Sequence, residues 1–567
     1  MPKQGGVHGN RPLPMPAPME QRFQQAVALH QQGRLAEAER LYTRILQQDP
    51  SHVDALHLLG MLALQTKRTD RGIRLLDKVI RLRPDLASAH SNRGIALRDL
   101  NRLPEAIASY DRAIALEPDS AALHNNRGIA LRDLRRLPEA LACYDRAIAL
   151  KPDYAEAHNN RGAALRDLGR LEEALASHDR AIALKPDSAA SHNNRGVVLR
   201  ELHRPEDALA SYDRAIALKP DYAEAYTNRG SALQDLARFA EAIASYDRAI
   251  ALTPRDADAS YNKSLACLVT GDLPSGWKLY EYRTRLGSAS EYRRFPQPLW
   301  LGETAPAGKT VFLHWEQGLG DTIQFCRYAM RLRALGARVI LSVQDPLLRL
   351  LRQLEPAIAI IGADQQPPSF DLHCPLMSLP LAFGTTLETI PSEPRYLLAD
   401  PHLAARRAAR LPPRTRPRVG LAWSGYAGHP NDHNRSIALG RLQPLLSLDA
   451  DWFCLQKEFR EGDAAELEAC PRLTRLDEEL QDFADTAALI DALDLVVTVD
   501  TAVAHLAGAL GKPVWILLPF SPDWRWLMDR DDTPWYPSAR LYRQPRIDDW
   551  PSVIEQVTRE MRSRFLS

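Results

Sequence analysis

Pro50, Pro84, Pro118, Pro152, Pro186, Pro220 and Pro254 stand 34 residues apart. A fixed period of this length, carried through nearly half the chain, restricts the first half to a helix-turn-helix solenoid. Other residues keep the same phase. Gly94, Gly128, Gly162, Gly196 and Gly230 lie 24 residues before a proline, and Ala106, Ala140, Ala174, Ala208 and Ala242 lie 12 before it. An aromatic ring follows four residues after each of these alanines, at Tyr110, Tyr144, His178, Tyr212 and Tyr246. Small residues let two helices approach closely, the ring fills the gap between them, and the proline stops the second helix.

Together these positions resemble the tetratricopeptide (TPR) repeat over about residues 19–286. In that family the first helix of each pair lines an inner, concave surface. Asn92 stands two residues before Gly94, and two residues turn a helix by about 200°. With glycine on the packing face, the asparagine points away from it. The same residue recurs as Asn126, Asn160, Asn194, Asn228 and Asn262. Asparagine is about 0.6 kcal/mol worse than alanine inside a helix, so six repetitions call for an offsetting use. An amide that both donates and accepts suits the backbone of an extended peptide. Such a ladder resembles the one in the TPR arm of O-linked N-acetylglucosamine transferase and implies an acceptor protein or peptide in the groove. Passive copying during repeat duplication is the competing explanation. His90, His124, His158 and His192 lie four residues before each glycine, where packing is expected. The degenerate last unit, 255–286, is expected to cap the array, with Trp277 and Tyr280 docked on the next domain.

Composition narrows the rest. Lys plus Arg (72) and Asp plus Glu (71) leave a formal charge of +1, which argues against nucleic acid as a partner. Six scattered cysteines without a CxxC pair read as reduced thiols of a cytoplasmic protein. The Pro- and Gly-rich residues 1–18 read as a disordered tail and not as a signal peptide. No stretch approaches the roughly 18–20 apolar residues of a membrane span.

After residue 295 the pattern changes to alternating strand and helix. Strands are expected at Lys309–His314, Arg338–Val343 and Ala357–Ile361, with helices through Leu335 and over Pro346–Leu354. A Pro/Arg-rich linker, Leu411–Pro417, precedes a second set of strands at Arg418–Trp423, Trp452–Gln456, Leu473–Leu476, Leu493–Val499 and Val514–Leu518. The expected fold is therefore an all-α TPR superhelix followed by a two-lobed, doubly wound α/β region, with lobes at 287–413 and 414–567. Ligands in such sheets bind at the carboxyl ends of the strands. Two motifs sit there. Gly318-Leu319-Gly320-Asp321 follows the first strand, and Asp321 has helix N-capping as its bland use. Asp500-Thr501-Ala502-Val503-Ala504-His505 joins a strand to a helix, whose free N–H groups and positive end suit a diphosphate.

As a pair, these motifs resemble the heptosyltransferase-like glycosyltransferases, a two-lobed (GT-B, double Rossmann-like) family. That resemblance implies Asp321 as general base and Asp500, Thr501, Ala502 and His505 as holders of a nucleotide-sugar donor, with Gly318 and Gly320 shaping the turn. Arg435, after the Ser424-Gly425 loop, and then Lys457 are the side-chain candidates for the phosphates, with ordinary surface charges as the alternative. Relatives commonly place lysine where this chain has Asn434-Arg435. The implied chemistry is inverting transfer of a sugar to an acceptor hydroxyl, with the nucleotide sugar as substrate, no cofactor, and no metal at the site. The Asp529-Arg-Asp531-Asp532 run lies in a late loop of the wrong architecture for an Asp-x-Asp metal site. The cluster Trp524, Trp526, Trp535 and Tyr536 is expected to cap the sheet, with sugar stacking as the alternative. A non-catalytic TPR scaffold with a degenerate donor domain is the competing reading. A nucleotide-binding oxidoreductase is disfavoured because Gly318-Leu319-Gly320 does not continue as Gly-x-Gly-x-x-Gly.

Overall fold

The computed structural model of the chain describes residues 17–287, 293, 295–429, 431–460 and 462–565. The tail expected over 1–18 lies outside these, except for Ala17 and Pro18, which open the first helix, Ala17–Gln31. Sixteen helices follow one another to Tyr280 and form the TPR superhelix. Contacts divide the chain into two compact units, Met1–Pro220 and Asp221–Ser567.

In the first unit the 34-residue period becomes helix pairs such as Ala87–Asp99 with Leu103–Leu116 and Ala121–Asp133 with Leu137–Leu150. The glycine of the first helix receives the ring of the second. A β-carbon added at Gly94 would lie 2.7 Å from Tyr110, at Gly128 2.6 Å from Tyr144, and at Gly162 2.7 Å from His178, all too close for a real side chain. The helix Leu103–Leu116 stops two residues before Pro118, as expected from proline.

Two devices of the repeat are not legible in the sequence. The arginine before each glycine ties together two second helices, 16 residues to either side. Arg93 Nε donates to Asp77 (2.7 Å) and its Nη1 to Ser109 (2.6 Å), and Arg161 does the same with Asp145 and Ser177 (both 2.7 Å). The turn within each pair carries one left-handed residue, for example Asn101 (φ 57°), Arg135 (φ 60°) and His203 (φ 58°), a conformation that costs L-residues roughly 1–2 kcal/mol. The histidines differ from expectation. His90, His124, His158 and His192 each hydrogen-bond through Nε2 to the carbonyl of the nearby proline, Pro84, Pro118, Pro152 and Pro186, at 2.9–3.1 Å. They tie the helix start to the end of the preceding helix, a polar task that a purely aromatic residue would not perform.

The second unit contains the last helix pairs and two parallel sheets. The first sheet has β1 (Thr310–His314), β2 (Arg338–Ser342), β3 (Ala359–Ile361) and β4 (Leu372–Pro375), in the order β3-β2-β1-β4. The second has β5 (Arg418–Ala422), β6 (Asp451–Cys454), β7 (Leu473–Thr474), β8 (Leu495–Val499), β9 (Val514–Leu518) and β10 (Ala539–Arg543), in the order β10-β9-β8-β5-β6-β7. Fully buried apolar runs such as Leu495–Val499 and Val514–Leu518 are what a sheet covered on both faces requires. Read from its own first strand, the second sheet has the 3-2-1-4-5-6 order of dinucleotide-binding folds, with the switch point between β5 and β8.

The last repeat packs with these sheets, so the compact units part at Pro220 and not at the array's end near 286. Trp277 donates its indole N–H to the Thr385 carbonyl (3.1 Å), and the buried Arg283 pairs with Glu316 (2.6 Å) and donates to Ser378 (2.7 Å). The docking expected of Trp277 and Tyr280 thus has a buried ion pair beside it.

His178 stands where Tyr42, Tyr110, Tyr144 and Tyr212 stand in other repeats of the first unit. Burial lowers its pKa to about 4, with Arg166 adding to the effect. The folded state holds it neutral, so its contribution is complete above the unfolded value near 6.5 and is lost as pH falls toward 4. His178→Tyr should remove up to about 3 kcal/mol of acid destabilisation. Urea midpoints of both proteins, compared at neutral pH and at about pH 4.5, should diverge only in acid.

Candidate active site

The switch point brings the ends of β5 and β8 together. After β5, Ser424 is clamped by Gln456, whose Oε1 accepts from the Trp423 and Ser424 N–H groups (3.3 and 3.2 Å) and whose Nε2 donates to the Ser424 carbonyl (3.1 Å). Gly425 comes next. A β-carbon there would lie 2.5 Å from Arg435 Nη2, so glycine lets the guanidinium lie on the backbone. Arg435 Nη1 donates to the Asp500 carbonyl (3.1 Å). Gly425, Arg435 and Asp500 therefore meet, as the motifs lead one to expect. The Ser424 hydroxyl and Arg435 Nε are buried without a hydrogen-bond partner among the described residues. Thr501 is the N-cap of the helix Ala502–Ala509 but makes no capping bond, and its hydroxyl pairs with that of Thr498 (3.2 Å).

The turn after β1 leads into the helix Leu319–Phe325. Asp321 lies in its first turn, where Oδ2 accepts the Gly318 N–H (2.7 Å). The capping use open to Asp321 is realised, from the third helical position. Gly320 has a packing task. A β-carbon on it would sit 2.7 Å from His505 Cδ2 and 3.5 Å from Ala502 Cα, so the glycine lets the first-lobe turn press on the second-lobe helix start. His505 is correspondingly buried. It stacks on Trp526 (centroids 5.3 Å) and hydrogen-bonds through Nδ1 to the Tyr536 hydroxyl (2.9 Å). Burial, reinforced by Arg525, Arg327 and Arg435, drives its pKa well below the ordinary value and favours the neutral ring. Lys457 is also not brought in. Its ammonium donates to the Asp477 carbonyl (3.0 Å) beyond β7, on the far side of β6 from Asp500.

A residue that the sequence motifs do not include pairs with the first of them. Arg525 is 7% exposed, lies over the Trp524 ring (4.1 Å) and ion-pairs with Asp321 Oδ1. Its Nε donates to Gln324 (2.8 Å) and its Nη1 to Asp523 (2.8 Å). The available signal is the charge pair Asp523/Arg525 inside a segment dominated by aromatic rings. Those rings are core. Trp524 packs on Trp277 (5.2 Å) and stacks on Phe325 (6.3 Å), in keeping with the capping role expected of the cluster. Burial raises the pKa of Asp321, against the opposing pull of Arg525, and raises that of Asp500 to about 6, with Asp523 adding to it and Arg435 opposing. Carboxyls perturbed by burial and by specific charges in one place are the mark of a functional site. A separate pocket lined by Arg406, Arg407, Arg410 and Glu479 shares no residue with this group, and Arg407 and Arg410 there already pair with Glu479.

The six ladder asparagines are half-buried. In the first unit, Asn160 donates to Asn125 (3.0 Å), Asn194 donates to Asn159 (3.2 Å), and the Asn92 amide meets His57 (2.9 Å). Each bond ties a first helix to the one before it. At least half of the ladder's offsetting use is thus internal to the array.

A helical repeat array joined to a parallel α/β region with half-buried carboxyls after its strands defines the class, and comparison with known proteins agrees. Tetratricopeptide repeat profiles match residues 29–92, 91–155, 125–189, 198–236 and 227–282. The profile of glycosyltransferase family 9 (heptosyltransferase) matches residues 468–519, a stretch that includes Asp500–His505 and leaves Asp321, Gly425, Arg435 and Lys457 outside. The chain is similar to Protein FlbA of Caulobacter vibrioides, 27% identical over 325 residues. That match takes in 52% of this chain and 53% of the relative, so the chain spans about half the length of the curated relative it matches. Among solved structures, a tetratricopeptide repeat protein from Parabacteroides merdae aligns with 44% of this chain and 98% of its own, at 14% identity and a TM-score of 0.39. YrrB, described as a TPR protein with an unusual peptide-binding site, aligns with 32% of this chain and 95% of its own, at 24% identity and a TM-score of 0.28. The chain carries a TPR array followed by a region similar, over residues 468–519, to family 9 glycosyltransferases. No helix among the described residues is long and apolar enough to cross a membrane.

Asp500 supplies a test of the site's electrostatics. Its folded pKa lies above the unfolded value near 3.9, so its stabilising contribution is complete below pH 4 and is lost as pH rises through about 6. Asp500→Asn should therefore raise the thermal midpoint above pH 7, with an upper bound of about 3 kcal/mol, and leave it unchanged near pH 4. Thermal melts of both proteins across this range check the sign.

Proposed function

We propose that this protein is a GT-B glycosyltransferase that moves a sugar from a nucleotide-sugar donor to an acceptor hydroxyl, with inversion and without a metal ion. The observation that carries the reading is the convergence of Asp321, from the first sheet, with the Asp500–Ala502 helix start, from the second. The acceptor oxygen gives its proton to Asp321 and bonds to the anomeric carbon as the bond to the diphosphate oxygen breaks. Two hydrogen bonds leave the carboxylate with lone pairs for that proton. Arg435, the Ser424 hydroxyl and the uncapped helix start take up the charge of the departing nucleoside diphosphate. The TPR groove holds the acceptor protein or peptide, through those faces of Asn92, Asn126, Asn160, Asn194, Asn228 and Asn262 that the array leaves open.

A second reading, a scaffold that binds a nucleotide sugar without turning it over, is favoured by one observation. Both Asp321 oxygens already have partners, Gly318 and Arg525. The readings part in a panel of nucleotide sugars incubated with the full-length protein. The enzyme releases nucleoside diphosphate from at least one donor, and Asp321→Asn lowers kcat by roughly 10²–10⁴ with donor affinity kept. Binding without turnover selects the scaffold, and no binding defeats both. In a chain that keeps its circular dichroism, Asn126→Ala with Asn160→Ala should weaken transfer to protein acceptors and spare donor hydrolysis.

A further inference from the structure

Asp321 is a problem for its own proposed task. A base must be ionised, yet only 16% of its side chain is exposed, and desolvation favours the neutral acid. The groups that face it divide by sign. Asp523 and Glu316 disfavour the carboxylate, Tyr280 adds a phenol at its rim, and the Gly318 N–H, His429 and Arg525 favour the charge. Arg525 is the strongest of the last three. It is also the most tightly held. Nε is fixed by Gln324, three residues along the helix that carries Asp321, Nη1 by Asp523, and the flat face of the guanidinium by the Trp524 ring. Only Nη2 faces Asp321. A guanidinium fixed on three sides by partners other than the base presents one rigid N–H to it, a geometry that a lysine ammonium does not reproduce.

We infer that Arg525 is a positioning residue that holds Asp321 as a carboxylate and fixes its orientation. The inference rests on the glycosyltransferase reading for its consequence but not for its test. Asp321 belongs to the first lobe and Arg525 to the second, so the base is complete only where both lobes contribute to it.

The first experiment uses the full chain and the donor found in the panel. In Arg525→Met the acid limb of the kcat/KM profile should move up by about 1–3 pH units, with donor KM within about threefold of the parent. Arg525→Lys should bring the limb part of the way back. An unmoved limb with a uniform fall in kcat makes Arg525 merely structural and overturns the inference. A raised donor KM with an unmoved limb makes it a phosphate ligand and also overturns it.

A stability cycle decides the matter without turnover, so failure of the glycosyltransferase reading and failure of this inference remain distinguishable. Above pH 7, Asp321→Asn should raise the thermal midpoint by more in the Arg525→Met background than when Arg525 is present, because there the carboxylate would be buried without its partner. The same shift in both backgrounds refutes the coupling. If Arg525→Met does not fold, the cycle is run on Arg525→Lys, where Asp321→Asn should raise the midpoint by more than in the parent, and an equal shift refutes the inference.

Discussion

A flat side chain laid on the bare backbone of glycine holds together both the repeats and the site. In the array, Tyr110 lies on Gly94 and Tyr144 on Gly128. In the α/β half, His505 lies against Gly320, the ring of Tyr536 against Gly508, and the guanidinium of Arg435 against Gly425. Each contact draws two backbones closer than any β-carbon permits and fills the space with a rigid plane. Dispersion between close-packed atoms is individually small and collectively large, and a plane loses few rotamers on burial. The array uses the device to set the spacing of helices. The site uses it to set the distance between a turn of one sheet and a helix start of the other, and so places Asp321 near Asp500.

The parts legible in the sequence are those whose cause is local. A 34-residue period, a glycine and a ring at fixed offsets, and a proline define the helix pair without reference to anything distant. Continuous apolar runs such as Leu495–Val499 announce a buried parallel strand. β4 and β10 are not announced in this way, because each lies at the edge of its sheet and mixes polar residues into a short run, Leu-His-Cys-Pro and Ala-Arg-Leu-Tyr-Arg. Gly318-Leu319-Gly320-Asp321 and Asp500–Ala502 are legible as motifs, and Gly425 with Arg435 falls beside them. The partners of His505 and Lys457 are not legible, because sequence places a residue on a helix or strand end but does not say which way its side chain is drawn. Arg525 is invisible for a stronger reason. It owes its role to Asp321, 204 residues away, and no local pattern carries that pairing.

The ladder illustrates a middle case. The amphipathic argument places the asparagines off the packing face of their own pair, and they do not pack on the ring of the second helix. The neighbouring repeat is the missing element. A solenoid is stabilised by nearest-neighbour interfaces as well as by each repeat, and an amide directed away from one interface meets the next. Asn160 and Asn194 are bonded there, each through its amide nitrogen, and an amide has two N–H donors and a carbonyl oxygen, so one such bond does not exhaust it.

Charge in the site has a direction that bears on how a donor would lie. Asp321, Asp500 and Asp523 set three carboxyls against the guanidiniums of Arg435 and Arg525. Arg525 is spent between Asp321 and Asp523. Arg435 bonds only a backbone carbonyl at short range, with Asp432 no nearer than 3.8 Å. A diphosphate is repelled by the first group and attracted by the second. On the glycosyltransferase reading, the phosphates therefore lie toward Arg435, Ser424 and the start of the helix Ala502–Ala509, and the sugar lies toward the carboxyls, which accept from its hydroxyls. That orientation turns the anomeric carbon toward Asp321.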